Sequence, residues 1–506
     1  MSLSRSVDDD FLALPIRALT DAALSAAVEA GASHADIRVH RTQSQSLRLR
    51  DGVVQSATDS TDLGFAVRVI ADGTWGFASH AQLSPDVAAD TARRAVDVAR
   101  ALRLLNRETV ELAPEPAYPD ATWVSAYDTD PFTVPLLDKA AVLGEFSHRL
   151  LSAAGVHHAI ASCLIVKEQT YYADTSGSRI TQQRVRLHPQ LEAITVDQNA
   201  GTFETMRTLA PPVGRGWEYL TGTGLWDWDA ELTEIPELLR EKLTAPPVSA
   251  GPTDLVIDPT NLWLTIHESI GHATEYDRAI GYEAAYAGTS FATPEKLGTL
   301  RYGTPIMHVT ADRTVDHGLA TIGYDDEGVA AQQWDLVRDG TLVGYQLDRT
   351  FAPRLGLPRS NGCSYADSPH HVPIQRMPNV SLQPDPNVDR QTDDLIAMVD
   401  NGIYVVGDKS WSIDMQRYNF QFTGQRFYRI RNGKLAGQFR DVAYQATTTD
   451  FWGSMEAIGG TSTWRLGGAF NCGKAQPGQV AAVSHGCPSA LFRGVNVLNT
   501  KEEAGA

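Results

Sequence analysis

Apolar positions in residues 12–31 recur at helical spacing in an Ala/Leu-rich stretch that stops at Gly31, which predicts a helix. The pattern then changes to short strand-like runs at 35–39, 46–50, 53–57 and 65–70. Asp51-Gly52 and Asp72-Gly73 fall between these runs as two-residue hairpin turns. Residues 84–105 and 133–154 return to helical spacing, while 159–174 and 180–197 read as extended. Two-residue turns join antiparallel strands, so this half is expected to be α/β with a largely antiparallel sheet.

A Pro/Gly/Ala stretch at 244–252 reads as a linker near the midpoint, dividing the chain into an N-terminal domain, 1–243, and a C-terminal domain, 253–506. Beyond it, short strands and turns dominate. Asp339-Gly340 and Asn432-Gly433 mark two hairpins of the same design. The second domain is therefore expected to be mostly antiparallel β, barrel-like or a sandwich, carrying one helix. The fold class is α+β.

At 506 residues the chain is long enough for two or three domains, and 42% hydrophobic with 21% charged residues is a globular composition. A formal net charge of −18 argues against a nucleic-acid or anionic-membrane partner, since both need clustered Lys and Arg. The N-terminus shows no signal-peptide core, and no run approaches 18 apolar residues. These features read as a soluble, cytoplasmic protein. Cys163, Cys363, Cys472 and Cys487 make no CxxC pair and no disulfide framework, so each is expected to be a free thiol.

The densest chemistry lies in Ile266-His267-Glu268-Ser269-Ile270-Gly271-His272. Two imidazoles can hold a divalent metal, and the Glu can take a proton from water that the metal acidifies. The spacing is H-E-x-x-x-H. Histidines at i and i+5 sit about 140° apart on a regular helix and would face different ways. A single π-type turn would bring them together, and Gly271 would ease that distortion. An ordinary buried helix can also carry two His and one Glu. Against that, Asp258-Pro259-Thr260 supplies cap chemistry, and Leu262, Leu264 and Ile266 read as buried. Three ionisable groups facing inward need a partner, which a metal provides.

A catalytic tetrahedral site takes three protein ligands and leaves a fourth position open. The downstream candidates for the third are Glu275, Cys472, His485 and Cys487. Glu275 follows His272 by three residues on the same helical face. Cys472 has flanking glycines and a nearby Lys474 that would favour the thiolate. Spacing does not choose between them.

Several blocks together are recognisable. Gly64-Phe65-Ala66-Val67-Arg68-Val69 with Asp72-Gly73-Thr74-Trp75-Gly76-Phe77-Ala78, the H-E-x-x-x-H segment, Tyr286-Ala287-Gly288-Thr289-Ser290-Phe291, Asp325-Asp326-Glu327-Gly328, Arg376-Met377-Pro378-Asn379 and Cys472-Gly473-Lys474 occur in register along nearly the whole chain. The sequence resembles the TldD side of the TldD/PmbA (TldE) metallopeptidases, with Pro378 standing where that family more often has Thr. The resemblance implies an α/β domain and a β domain paired as a dimer around an internal cavity. It also implies one zinc ion per active subunit, held by His267, His272 and Cys472, with Glu268 as the catalytic base. The companion TldE-type subunits lack the histidine motif, so this chain resembles the active subunit. Its partner would be a second copy or a TldE-like chain.

On that reading Glu275 orients a histidine or pairs with Arg278. His485 and Cys487, in Ser484-His485-Gly486-Cys487-Pro488, depart from the family and read as a turn with a buried thiol. His370-His371 reads as surface or channel lining. Arg376 reads as gripping a substrate carbonyl or carboxylate, or as half of a structural ion pair.

The expected activity is zinc-dependent hydrolysis of unfolded or extended peptides, with metal-bound water as nucleophile and Glu268 as base. Such peptides would be recognised by adding to a strand edge. Two rival readings are a regulatory or scaffold subunit with a structural metal, and a metal-dependent hydrolase of a non-peptide amide or ester.

Overall fold

The computed structural model describes residues 5–197 and 201–503. Its N-terminal half is built on a seven-stranded sheet. Thr74–His80, Val53–Ala71, His34–Arg50, His158–Asp174, Arg179–Asp197 and Ala121–Val124 lie side by side in that order, with Thr202–Arg207 also paired to Arg179–Asp197. All pairings are antiparallel except that of Ala121–Val124. At all four Asx-Gly turns both residues adopt positive φ, between 48° and 77°, as two-residue hairpins require.

Two pairs of expected strands are each one long strand, because the sheet is half-covered differently along its length. In Val53–Ala71 the first ten residues are exposed on both faces, and nearly all the rest are buried on both. Neither half alternates, so no period-two signal runs through the whole element. Helices Ile16–Glu29 and Pro85–Leu102 pack with Ile37, Val39, Val67 and Val69. Helices Leu136–Ser152 and Trp228–Thr244 pack with Leu47, Leu49, Ala161 and Ile165 nearer the other end of the same face. The last of these helices contains Pro236, a breaker signal that masks it in the sequence.

The opposite face is charged, and the C-terminal half covers it. Arg68 bridges Asp36 at 2.8 Å and Glu327 at 3.0 Å. Arg38 pairs with Asp326, and the Tyr365 hydroxyl donates to Glu168. Arg68 also lies over the Trp75 ring at 4.6 Å. These contacts join the two halves through buried ion pairs.

In the C-terminal half, Asn401–Ile413, Gly251–Ile257, Ala490–Asn499, Val442–Thr447 and Asn419–Arg431 pair in sequence, and the last pairs back onto the first. The strands thus close into a barrel. Gly251–Ile257 runs parallel to one neighbour and antiparallel to the other. Leu255, Ile257, Phe420, Phe422 and Phe492 share a core with Leu262 and Ile266 of the helix Pro259–Ile266. Outside the barrel, Arg465–Lys474 and Gln479–Cys487 form a two-stranded hairpin. No described helix is long and apolar enough to cross a membrane.

Candidate metal centre

Asp258 caps the helix Pro259–Ile266, its side chain accepting from the Thr260 N–H at 3.0 Å, and Pro259 occupies the first turn. The helix does not continue regularly. His267–Gly271 is one π-turn, followed by a 3₁₀ turn over His272–Thr274. The i,i+5 spacing therefore converges as expected, with the two imidazole centroids 4.6 Å apart. The role of Gly271 differs from the expectation. Its φ of −52° is open to any residue, whereas a Cβ there would lie 2.5 Å from Met377 Sδ. Gly271 thus packs against the Met377 thioether, and its backbone conformation does not itself demand glycine.

Cys472 reaches the same point from the hairpin, where the register slips between Ala469 and Cys472. Such a bulge re-aims side chains locally. Gly467 lets this strand pass Trp263, whose Cγ would sit 2.3 Å from an added Cβ. One donor atom from each of His267, His272 and Cys472 lies within 4.8 Å of the others, and all three residues are buried. Cys472 Sγ is 3.6 Å from His272 Nε2.

The groups behind the histidines decide which nitrogens remain free. His272 Nδ1 is 2.8 Å from Glu275 Oε2, and His267 Nδ1 is 2.7 Å from His485 Nε2. Both Nδ1 atoms are thus occupied, and both Nε2 atoms are left for a ligand. Two imidazole nitrogens and a sulfur, each histidine braced through its other nitrogen, suit zinc. Burial would push the Cys472 thiol up, but His272 and Arg376 hold it below the usual cysteine range. Burial instead pushes Cys163 and Cys363 up to about 12. Burial depresses both His267 and His272, favouring the neutral imidazole that a metal needs.

The other candidates stand outside the donor set, Glu275 and His485 directly behind its two histidines. Glu275 is fully buried and accepts from Arg278 Nε at 2.9 Å and Lys474 Nζ at 3.3 Å. Burial would raise its carboxyl, but Lys474, His272 and Arg278 hold it well below the usual range. Lys474 also pairs with Asp277 at 2.8 Å. It serves carboxylates rather than the thiolate, contrary to the expectation.

His485 and Cys487 lie in a buried strand, not a turn, because their segment pairs in register with Arg465–Gly468. Cys487 Sγ contacts the Pro259 carbonyl at 3.7 Å. Arg376 forms no ion pair with a described residue. Its guanidinium donates to the carbonyls of Cys472 and Gln479, clamping the hairpin. His371 pairs with Asp367, and His370 is exposed on the same loop.

Glu268 faces a cleft of about 590 Å³ that it shares with His267, His272 and Cys472. His188 and Arg207 of the N-terminal sheet and Trp411 and Asn471 of the C-terminal half also line it. Arg417 Nη1 donates to Glu268 Oε2 at 2.6 Å, a contact without a sequence signal because Arg417 lies 149 positions away. Oε1 has no hydrogen bond to a described residue.

Residues 250–499 match the PmbA/TldA metallopeptidase C-terminal domain, and 35–102 match domain 1 of the same family. The chain belongs to the TldD/PmbA family. A Methanothermobacter thermautotrophicus metalloprotease is 29% identical over 480 residues, covering 94% of this chain and 97% of that one. A Saccharolobus solfataricus relative, named a zinc metalloprotease TldD homolog, is 22% identical over 93% of this chain and 98% of its own. TldE from Thermococcus kodakarensis shares the fold, with a TM-score of 0.67 at 15% identity, covering 95% of this chain and 99% of its own. The two relatives named metalloproteases support metallopeptidase activity, and the second name together with the His/His/Cys cluster points to a metal of the zinc type.

Proposed function

We propose that this chain is a zinc-dependent peptidase acting on extended or unfolded peptides, with zinc held by His267, His272 and Cys472. The observation that carries the reading is the donor set itself. Three buried donors converge while the remaining candidates, Glu275, His485 and Cys487, are engaged elsewhere. No fourth described protein donor joins them, and a zinc held by these three alone would keep a position for substrate or water, unlike a closed structural site. Zinc bound there would supply Lewis acidity to the scissile carbonyl and to an attacking water.

The protein's own groups do the rest. Glu268 Oε1 takes a proton from the water as its oxygen bonds to the carbonyl carbon. The same carboxyl returns the proton to the amine nitrogen as the C–N bond breaks. Arg417 on Oε2 keeps the carboxylate aimed into the cleft. The cleft walls come from both halves of the chain, which suits an extended strand of peptide better than a folded surface. The fold shared with TldE supports a companion of similar architecture, a second copy or a TldE-like chain, enclosing a cavity around the site.

The test is a panel of unstructured peptides, a folded protein and small amides or esters, incubated with metal-stripped and zinc-reloaded protein and read by mass spectrometry. Zinc-dependent cleavage confined to the peptides is expected. Turnover of only the small amides or esters, or none with full zinc, would overturn the reading.

A further inference from the structure

We propose that His485 is a positioning residue that sets the tautomer of His267 and so makes its Nε2 available to the metal. This rests on the zinc assignment above and adds a residue that the ligand set does not contain. His485 is wholly buried on the strand Gln479–Cys487, its ring stacked on Trp263 at 6.2 Å and 12°. Its Nδ1 is 2.9 Å from the Val380 carbonyl oxygen. A carbonyl only accepts, so this nitrogen carries a proton.

The consequences follow atom by atom. With its proton on Nδ1, the neutral ring offers a lone pair at Nε2, which faces His267 Nδ1 at 2.7 Å. His267 must therefore donate from Nδ1, and its own lone pair sits on Nε2, the nitrogen left free for the cluster with His272 and Cys472. A cationic His485 would instead present N–H to His267, force the lone pair onto Nδ1 and place a proton where the metal binds. The backbone of Val380 thus specifies, through two imidazoles, which nitrogen faces the site. His272 is set more directly, by a carboxylate. Because both ring nitrogens of His485 are used, it is not a fourth ligand.

Two variants isolate the acceptor. His485→Phe keeps a flat ring beside Trp263 but removes the acceptor. His485→Gln restores an acceptor oxygen near the Nε2 position. Zinc affinity, measured by competition with a chromogenic chelator, is expected to fall by roughly 10–100-fold in His485→Phe. It should be largely recovered in His485→Gln, whose fold stability need not match the wild type. Equal zinc affinity in the wild type and His485→Phe would overturn the inference, as would His485→Gln being no better than His485→Phe.

A variant-free measurement stands beside these. In zinc-loaded wild type with ¹⁵N-labelled histidine, both His267 and His485 should show the Nδ1–H tautomer. An Nε2–H or doubly protonated His485 would refute the relay while leaving the zinc assignment intact. Wild type that takes up no zinc would remove both.

Discussion

Glu275→Gln separates a supporting carboxylate from a ligand, and the structure sets the expected size of the effect. Glu275 is fully buried and receives His272 Nδ1, Arg278 Nε and Lys474 Nζ. The amide keeps an oxygen that can accept from His272 but removes the negative charge shared by two buried cations. Lys474 retains Asp277, and Arg278 retains the Ala287 carbonyl, so the loss is partial. Breaking a buried pair outright costs about 3–5 kcal/mol, and we expect about 3 kcal/mol here, read as a lowered urea midpoint. Losing a brace on a ligand histidine weakens metal binding by roughly 10–100-fold, and the surviving acceptor places this variant at about 10-fold. Cys472→Ser replaces a thiolate by a neutral hydroxyl and should empty the site. Both are compared by zinc content after dialysis against a weak chelator. A Glu275→Gln protein without zinc beside a zinc-replete Cys472→Ser protein would refute the assignment.

Glu268→Gln keeps size and hydrogen bonding but cannot accept the proton. Zinc content should stay near wild type while peptide hydrolysis falls by roughly 10²-fold or more, and retained activity with full zinc would remove Glu268 from the mechanism. Arg68→Met leaves Asp36 and Glu327 buried without their shared cation, so it should destabilise the junction of the two halves by about 3–5 kcal/mol in urea unfolding. Burial would raise the Asp36 carboxyl, but Arg68 and His34 outweigh it and hold it at about 2. A depressed carboxylate contributes stability above its unfolded pKa near 3.8, and that contribution, about 2 kcal/mol, is lost as pH falls toward 2. Asp36→Asn should flatten the acid branch of the stability curve in that window; an unchanged branch would count against the pair. Deleting Ile270 makes the histidines i,i+4 but rotates everything after them by about 100°, so activity should vanish with metal partly retained. Full activity would show that the extra residue is absorbed elsewhere.

Much of the site was legible because it is local. The i,i+5 spacing demands a π-turn by helix arithmetic, and His267–Gly271 forms one. Asx-Gly pairs demand positive φ, and all four turns have it. What was illegible depends on tertiary contact. Glu275 and Cys472 are equal bids until Arg278 and Lys474 are seen to occupy the carboxylate. His485 lies 218 positions from His267, and only the pairing of the late hairpin and its stack on Trp263 bring the rings together. Gly271 illustrates the same limit. Its presence beside the motif is visible, but its contact with the sulfur of Met377 is not. Val53–Ala71 reads as two pieces because burial on both faces, or neither, erases alternation, and His34–Arg50 alternates only along its second half.

Where the metal and the peptide sit together decides the mechanism. A crystal structure of Glu268→Gln with zinc and an unstructured peptide, with anomalous data at the zinc edge, tests this directly. The prediction is one zinc at about 2.0–2.1 Å from Nε2 of His267 and His272 and about 2.3 Å from Cys472 Sγ, with a peptide carbonyl in the cleft beside residue 268. A zinc bound elsewhere, a fourth protein ligand closing the site, or a peptide lodged away from that cleft would contradict it.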